Sequence, residues 1–167
     1  SRFATQRFNE GLADLEFAMK IDSTDIRLYT SMAVANMRLD KSDQVITTCD
    51  KGLKMAPKNT LLRTLRGEAK ANMSLFRIAL EDFQKAYELD SSDQRPKINM
   101  AMAYNGLELY NKSLETLNGV LKKYPENAYA IFQRGRTYML MKKTELAKFD
   151  MDRVIELRPE NSIAHFN

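Results

Sequence analysis

Residues 122–127 read KKYPEN and residues 156–161 read ELRPEN, so a Pro-Glu-Asn turn recurs after 34 residues. Proline cannot continue a helix, and Asn or Asp suits the position that begins the next one. Counted towards the N-terminus from Pro125, the same interval reaches Ser91 in ELDSSD, Pro57 in KMAPKN and Ser23 in KIDSTD. This constant interval predicts a chain built from repeats of one helical unit.

The 34-residue register divides the chain into complete and partial repeats. Four complete repeats are predicted at 26–59, 60–93, 94–127 and 128–161. Residues 1–25 form a partial repeat, mainly its second helix, and 162–167 begin a further helix. We expect a single array over 1–167 that is a fragment of a longer protein, because neither end supplies the polar capping repeat that a solenoid needs.

Small residues occupy fixed places in each repeat. Numbered from the first residue of a repeat, place 8 is Ala or Gly throughout, and places 20 and 27 hold Gly, Ala, Ser or Val, with Gly11 and Ala18 continuing the series in 1–25. Small side chains let helix axes approach closely. Apolar residues recur around them at intervals of three and four, as in Phe76, Ala79 and Phe83, which indicates amphipathic helices. Each repeat is therefore predicted to be two helices joined by a turn.

This pattern resembles the tetratricopeptide repeat, whose signature is W-x2-L-G-x2-Y, then A-x3-F, then P. Residues 128–161 carry Gly135, Tyr138, Ala147 and Pro159 at the matching positions. Pentatricopeptide, half-a-TPR and Sel1-like repeats are weaker matches because their spacing differs. The resemblance implies an all-α fold, a right-handed α-solenoid (superhelix) of antiparallel helix pairs, and a function as a protein-binding scaffold or adaptor.

No arrangement of residues typical of an active site is present. The chain lacks GxxxxGK[ST], GxGxxG, GxSxG and HExxH sequences. We interpret Cys49 as a buried structural thiol and His165 as a packing or solvated residue. We therefore expect no enzyme activity, no cofactor and no metal site. One cysteine, and no apolar run long enough to span a membrane, favour a cytoplasmic or nuclear, intracellular protein.

The resemblance also implies that the first helices of successive repeats line a concave groove. The side chains expected to face it include several arginines, several amides and two aromatic rings, which suits a peptide segment with acidic and apolar side chains. The partner-binding residues predicted on this basis are Arg27, Thr30, Arg38, Asn72, Arg95, Asn99, Met102, Asn105, Tyr129, Phe132, Gln133 and Arg136.

Other functions remain open. The repeats could be a targeting or regulatory array of a larger enzyme or multi-subunit complex, or could associate with their own copies. RNA binding is disfavoured because the formal net charge is only +4 and basic residues are spread along the chain. A clamp for the C-terminal carboxylate of heat-shock chaperones is disfavoured because each possible register keeps only one of the required side chains.

Overall fold

A computed structural model of the chain describes residues 2–157, with side chains described from residue 10 onwards. Within that range the backbone forms α-helices and no strand. The nine helices are α1 (Arg2–Ile21), α2 (Ile26–Arg38), α3 (Ser42–Met55), α4 (Thr60–Asn72), α5 (Phe76–Leu89), α6 (Arg95–Gly106), α7 (Tyr110–Lys123), α8 (Ala128–Leu140) and α9 (Thr144–Leu157). From α2 onwards we call α2, α4, α6 and α8 the first helices and their successors the second helices.

Three of the first helices begin at the capping residues that the sequence predicts. The side chains of Asp25, Asn59 and Asn127 accept hydrogen bonds from backbone N–H groups in the first turns of α2, α4 and α8. The start of α6 differs, since its N-cap is Gln94, whose side chain makes no capping hydrogen bond, and Pro96 lies in its first turn. Proline suits that turn because its missing N–H would have no helical partner there.

The turn inside each helix pair has the same geometry. The residue at place 15 has a left-handed backbone conformation. The N–H of the residue at place 16 donates to the carbonyl oxygen of the residue at place 11. This bond is the Schellman end of an α-helix, which normally uses glycine. The four residues here all carry a side chain, and they are Asp40, Ser74, Glu108 and Lys142.

The helices form two compact units, residues 1–93 and 94–167. The first unit contains a core of buried residues from α2, α3 and α4: Tyr29, Ala33, Val45, Cys49, Leu53, Leu62, Leu65 and Ala69. The second contains a core from α6, α7 and α8: Ile98, Ala101, Leu117, Val120, Leu121, Ala130 and Ile131. The division into repeats and the single array over 1–167 remain predictions.

Close helix approach at the small residues is confirmed at place 8. A Cβ built on Gly67 would lie 2.5 Å from Cε1 of Phe83, and one on Gly135 would lie 2.9 Å from Cε of Met151. The expectation is wrong at Gly11, where an added Cβ would meet no described atom within 4 Å.

The space around each glycine predicts opposite effects on stability for substitutions at Gly67 and Gly119. Gly67→Ala should lower the free energy of unfolding by about 1 to 2 kcal/mol, because the new methyl group overlaps the buried ring of Phe83. Gly119→Ala should raise it by about 1 kcal/mol, since that exposed site in α7 has room and alanine favours the helix. Urea unfolding measures both, and equal effects of the two changes would contradict the packing described.

Buried ion pairs join first and second helices in two of the four pairs. Arg66 donates to both carboxylate oxygens of Asp82 and, through Nη1, to Asp50 Oδ1 at 2.6 Å. Arg134 likewise donates to Asp150 at 2.7 and 2.8 Å and to Asn118 Oδ1 at 3.0 Å. Hydrogen bonding to its aspartate raises the pKa of each arginine above its ordinary value.

The intervening pairs lack these charges. Arg66 and Asp82 stand at places 7 and 23 of the second pair. The same two places hold Met32 and Thr48 in the first pair, and Met100 and Thr116 in the third. Both charges are therefore exchanged together for uncharged side chains. Burying one charge without its partner is costly, which explains the joint exchange.

The alternation predicts the outcome of a double-mutant cycle. Arg134→Met should lower the free energy of unfolding by about 3 to 5 kcal/mol, because Asp150 is only 1% exposed and would lose the guanidinium that donates to both of its oxygens. The double variant Arg134→Met with Asp150→Thr should lose less free energy of unfolding than Arg134→Met alone. The two changes together give the fourth pair the Met and Thr that the first and third pairs hold at these places. Free energies of unfolding in urea test this.

The control is Arg153→Met, which removes an arginine whose partners Glu126 and Glu156 are exposed. Arg153→Met should lower the free energy of unfolding by less than about 1 kcal/mol. A double variant that is less stable than the Arg134→Met single variant would contradict the interpretation of the alternation.

Candidate partner-binding site

In the second unit, three predicted residues lie together between α6 and α8. The Tyr129 hydroxyl donates to Met102 Sδ at 3.2 Å and to Asn99 Oδ1 at 3.4 Å. Asn99 is buried, with 5% of its surface exposed, whereas Tyr129 and Met102 are half-buried. Asn99 can therefore orient the tyrosine ring, and the tyrosine and methionine remain accessible to a partner.

One face of α8 continues this surface. Residues 129, 132, 133 and 136 recur at intervals of three and four, which places them on the same side of a helix. Phe132 is 37% exposed and Arg136 is exposed, while Gln133 is only 3% exposed. Arg136 Nη1 donates to Gln133 Oε1 at 3.3 Å. The buried amide thus helps to hold the exposed guanidinium beside the phenylalanine.

Asn105 belongs to a polar cluster at the other end of α6. Its Nδ2 donates to Thr137 Oγ1 at 2.9 Å, and that hydroxyl also contacts Ser113 Oγ at 3.1 Å. The Asn105 Oδ1 atom is buried and has no hydrogen-bond partner among the described residues. Asn105 joins three helices through this cluster, which limits the part of its amide that a partner could reach.

The predicted residues of the first unit are dispersed over α2 and α4. Arg27 is paired with Asp25 through an Nη2–Oδ2 distance of 2.7 Å, and hydrogen bonds from Arg27 lower the pKa of Asp25. The Thr30 hydroxyl donates to the Arg27 carbonyl oxygen. Much of the charge on Arg27 is therefore offset locally, which weakens its expected role in attracting an acidic segment.

Arg38 and Asn72 lie near the ends of α2 and α4, and both are exposed. Asn72 Nδ2 contacts Met37 Sδ at 3.6 Å, so α2 and α4 bring those two side chains together. Arg95 is the first residue of α6 in the second unit and is also exposed. The structure thus brings predicted residues together in the second unit, around Tyr129, whereas those of the first unit stay dispersed.

Two further features lie outside the predicted partner-binding residues, and sequence reasoning missed the second of them. Met139 and Leu140, at the end of α8, are 60% and 50% exposed and extend the apolar part of that helix. A cavity also lies among α1, α2 and α3, with Asn36 in its wall. The signal for the cavity was present in the register, because place 11 holds asparagine in the first pair and Lys70, Tyr104 or Tyr138 in the others.

The residues considered for chemistry fall in different parts of the chain. Cys49 is buried, as predicted, and burial raises the pKa of its thiol to about 12, so the thiol stays protonated at neutral pH. His165 lies outside the described residues. Across residues 2–157 no group of three or more His, Cys, Asp and Glu side chains could hold a metal ion. In the same range, no helix is long and apolar enough to cross a bilayer.

Comparison with known proteins agrees with the resemblance. A family model described as tetratricopeptide repeat matches residues 128–161, which contain α8. Peptidyl-prolyl cis-trans isomerase FKBP4 of Homo sapiens is 30% identical over 84 residues, and that of Mus musculus is 27% identical. Each match covers 50% of this chain and 18% of the isomerase. The chain therefore spans less than a fifth of the length of these curated relatives.

Solved structures match over nearly the whole chain. MamA from Desulfovibrio magneticus RS-1 has a TM-score of 0.76 at 21% identity, covering 95% of this chain and 93% of MamA. TTC0263, a thermophilic TPR protein of Thermus thermophilus, has a TM-score of 0.81 at 15% identity, covering 94% and 86%. YrrB, described as a TPR protein with an unusual peptide-binding site, has a TM-score of 0.67 at 20% identity, covering 96% and 83%. These similarities confirm the predicted all-α solenoid class.

Proposed function

We propose that this chain, a tetratricopeptide-repeat protein by the match of residues 128–161 and by its fold, is a scaffold that binds a segment of a partner protein and performs no catalysis. The observation that carries the proposal is the face of α8, where Phe132 and Arg136 are both exposed and lie one turn apart. An exposed ring beside a cation suits a segment with one apolar and one acidic side chain. The description of YrrB as having a peptide-binding site supports the same class of ligand.

In this proposal the partner segment lies along the first helices. Tyr129, Phe132 and Met102 supply apolar contact, and Arg136 pairs with a carboxylate. Asn99 and Gln133 are buried below this surface and orient Tyr129 and Arg136, respectively, through hydrogen bonds. Arg95 and Asn105 extend the surface along α6, and in the first unit, taken by itself, the proposed contacts are Arg27, Thr30, Arg38 and Asn72.

The proposal also includes a location and a second mode of assembly. A cytoplasmic or nuclear location is supported by the single buried cysteine, which needs no oxidising compartment. Self-association through the repeats would use the same face if a copy of the chain supplied the acidic and apolar side chains.

Panning a phage-displayed library of random peptides on the chain tests the α8 surface. The selected peptides should combine acidic and apolar residues. Arg136→Glu and Phe132→Ala should each weaken their binding by about tenfold or more, measured by fluorescence anisotropy, since each removes an anchor or reverses a charge. The helical circular-dichroism signal should not change, because both side chains are exposed.

The matched control is Lys122→Glu, which makes the same charge reversal on the exposed side of the second helix α7. It should bind the selected peptides as the parent does. Equal loss in Lys122→Glu and Arg136→Glu would show that only net charge matters, and unchanged binding by Arg136→Glu and Phe132→Ala would overturn the assignment of the site.

An alternative is that the repeats target or regulate a larger enzyme or multi-subunit complex. The match to FKBP4 favours it, because only 18% of that isomerase is aligned. On this alternative, an antibody raised against the chain would detect a polypeptide much heavier than 19.3 kDa in native tissue. Mass spectrometry of that polypeptide would then identify a catalytic domain, and a species of 19.3 kDa alone would contradict the alternative for a single polypeptide.

A further inference from the structure

A cavity of about 300 Å³ lies in the first unit, among α1, α2 and α3. It is separate from the α8 face, and its walls carry negative rather than positive charge. The lining residues are Glu16, Met32, Asn36, Asp43, Gln44, Thr47 and Thr48. Glu16 and Asp43 are exposed carboxylates, and neither forms an ion pair within the part of the chain that the structure describes.

The repeat register explains why this space exists. In the next pair, the equivalent positions hold charged side chains that form a network. Arg66 pairs with both Asp50 and Asp82, and Lys70 Nζ lies 2.7 Å from Asp82 Oδ2. In the first pair, Met32 stands at the place of Arg66, and Asn36 at the place of Lys70. Two cationic side chains are therefore absent from the corresponding space.

The acceptors of that network are partly retained. Glu16 occupies the place of Asp50, and Thr48 the place of Asp82. Asp43 adds a second carboxylate from the first turn of α3. Asn36 is only 4% exposed, and its Oδ1 has no hydrogen-bond partner among the described residues. That oxygen is too deeply buried to be reached from the cavity, so the exposed carboxylates of Glu16 and Asp43 are the acceptors that an entering cation would meet.

We propose that this cavity binds an arginine side chain from a segment of a partner protein, which takes the place that Arg66 fills in the next pair. A guanidinium group has five N–H donors in one plane, enough to serve a carboxylate and the Thr48 hydroxyl together. The Met32 side chain packs against the arginine methylenes. The fit is to a long side chain with a delocalised cation, and the partner segment is basic, unlike the acidic segment expected at α8.

The test uses the full chain labelled with ¹³C at the methionine methyl groups. The probe is a Gly-Gly-Arg-Gly-Gly peptide with blocked ends, and the Met32 methyl resonance is the reporter, assigned with Met32→Leu. Addition of the peptide should shift this resonance in a saturable manner and leave the methyl groups of the second unit unchanged. The same peptide with neutral citrulline in place of arginine should give no shift, because the cation is lost.

Variants of the lining residues complete the test. Glu16→Gln and Asp43→Asn should each weaken the binding by about tenfold, since each removes one charge-assisted contact. Glu81→Gln, on the exposed side of α5, is the matched control and should bind as the parent does. Met32→Arg with Thr48→Asp should abolish binding and raise the thermal midpoint, because the new arginine and aspartate fill the space as Arg66 and Asp82 do.

Three results would overturn the proposal. The first is no shift of the Met32 resonance, and the second is an equal shift with the citrulline peptide. The third is binding of free arginine as tight as that of the peptide, which would assign the cavity to a small metabolite instead of a partner segment. These outcomes are independent of the α8 surface, whose peptides and variants are different.

Discussion

Phe83 lies directly against the backbone of α4 at Gly67, and the α4–α5 pair depends on this close approach of two helices. It is possible because glycine offers no side chain where the ring is buried. Once the axes are this close, the other residues of the pair have fixed surroundings. Arg66 reaches Asp82, and the exposed side of α4 is left for other contacts. A similar close approach joins α8 and α9 at Gly135.

Charge is buried in this protein where it is matched on a neighbouring helix. Asp82 and Asp150 each receive two hydrogen bonds from one guanidinium, and an adjacent second helix supplies the acceptor for the remaining nitrogen. Arginine suits this role because its planar fork serves two acceptors at once and keeps its charge when buried. Where methionine replaces the arginine in the first pair, the same geometry leaves a space with acceptors around it, as beside Asn36.

Much of the fold follows from short-range patterns in the sequence, whereas the candidate site does not. Asn59 and Asn127 begin helices because their amides accept a backbone N–H, and such caps are visible as residues at a constant interval. Exposure depends instead on neighbouring helices. The family resemblance assigned Gln133 to the same surface as Phe132, yet the amide is buried and the ring is exposed. The cavity beside Asn36 depends on how α1, α2 and α3 pack, although the register shows Asn36 where the other pairs hold a longer side chain.

The ion pairs have a consequence for how arrays of this kind can grow. Because arginine pairs and methionine pairs alternate, and each arginine also reaches the second helix of the preceding pair, neighbouring repeats are not equivalent. Duplicating or deleting one repeat would place two pairs of the same kind side by side and change the partner of a buried charge. Gain or loss of two adjacent pairs together would keep the alternation and the partner of each buried charge.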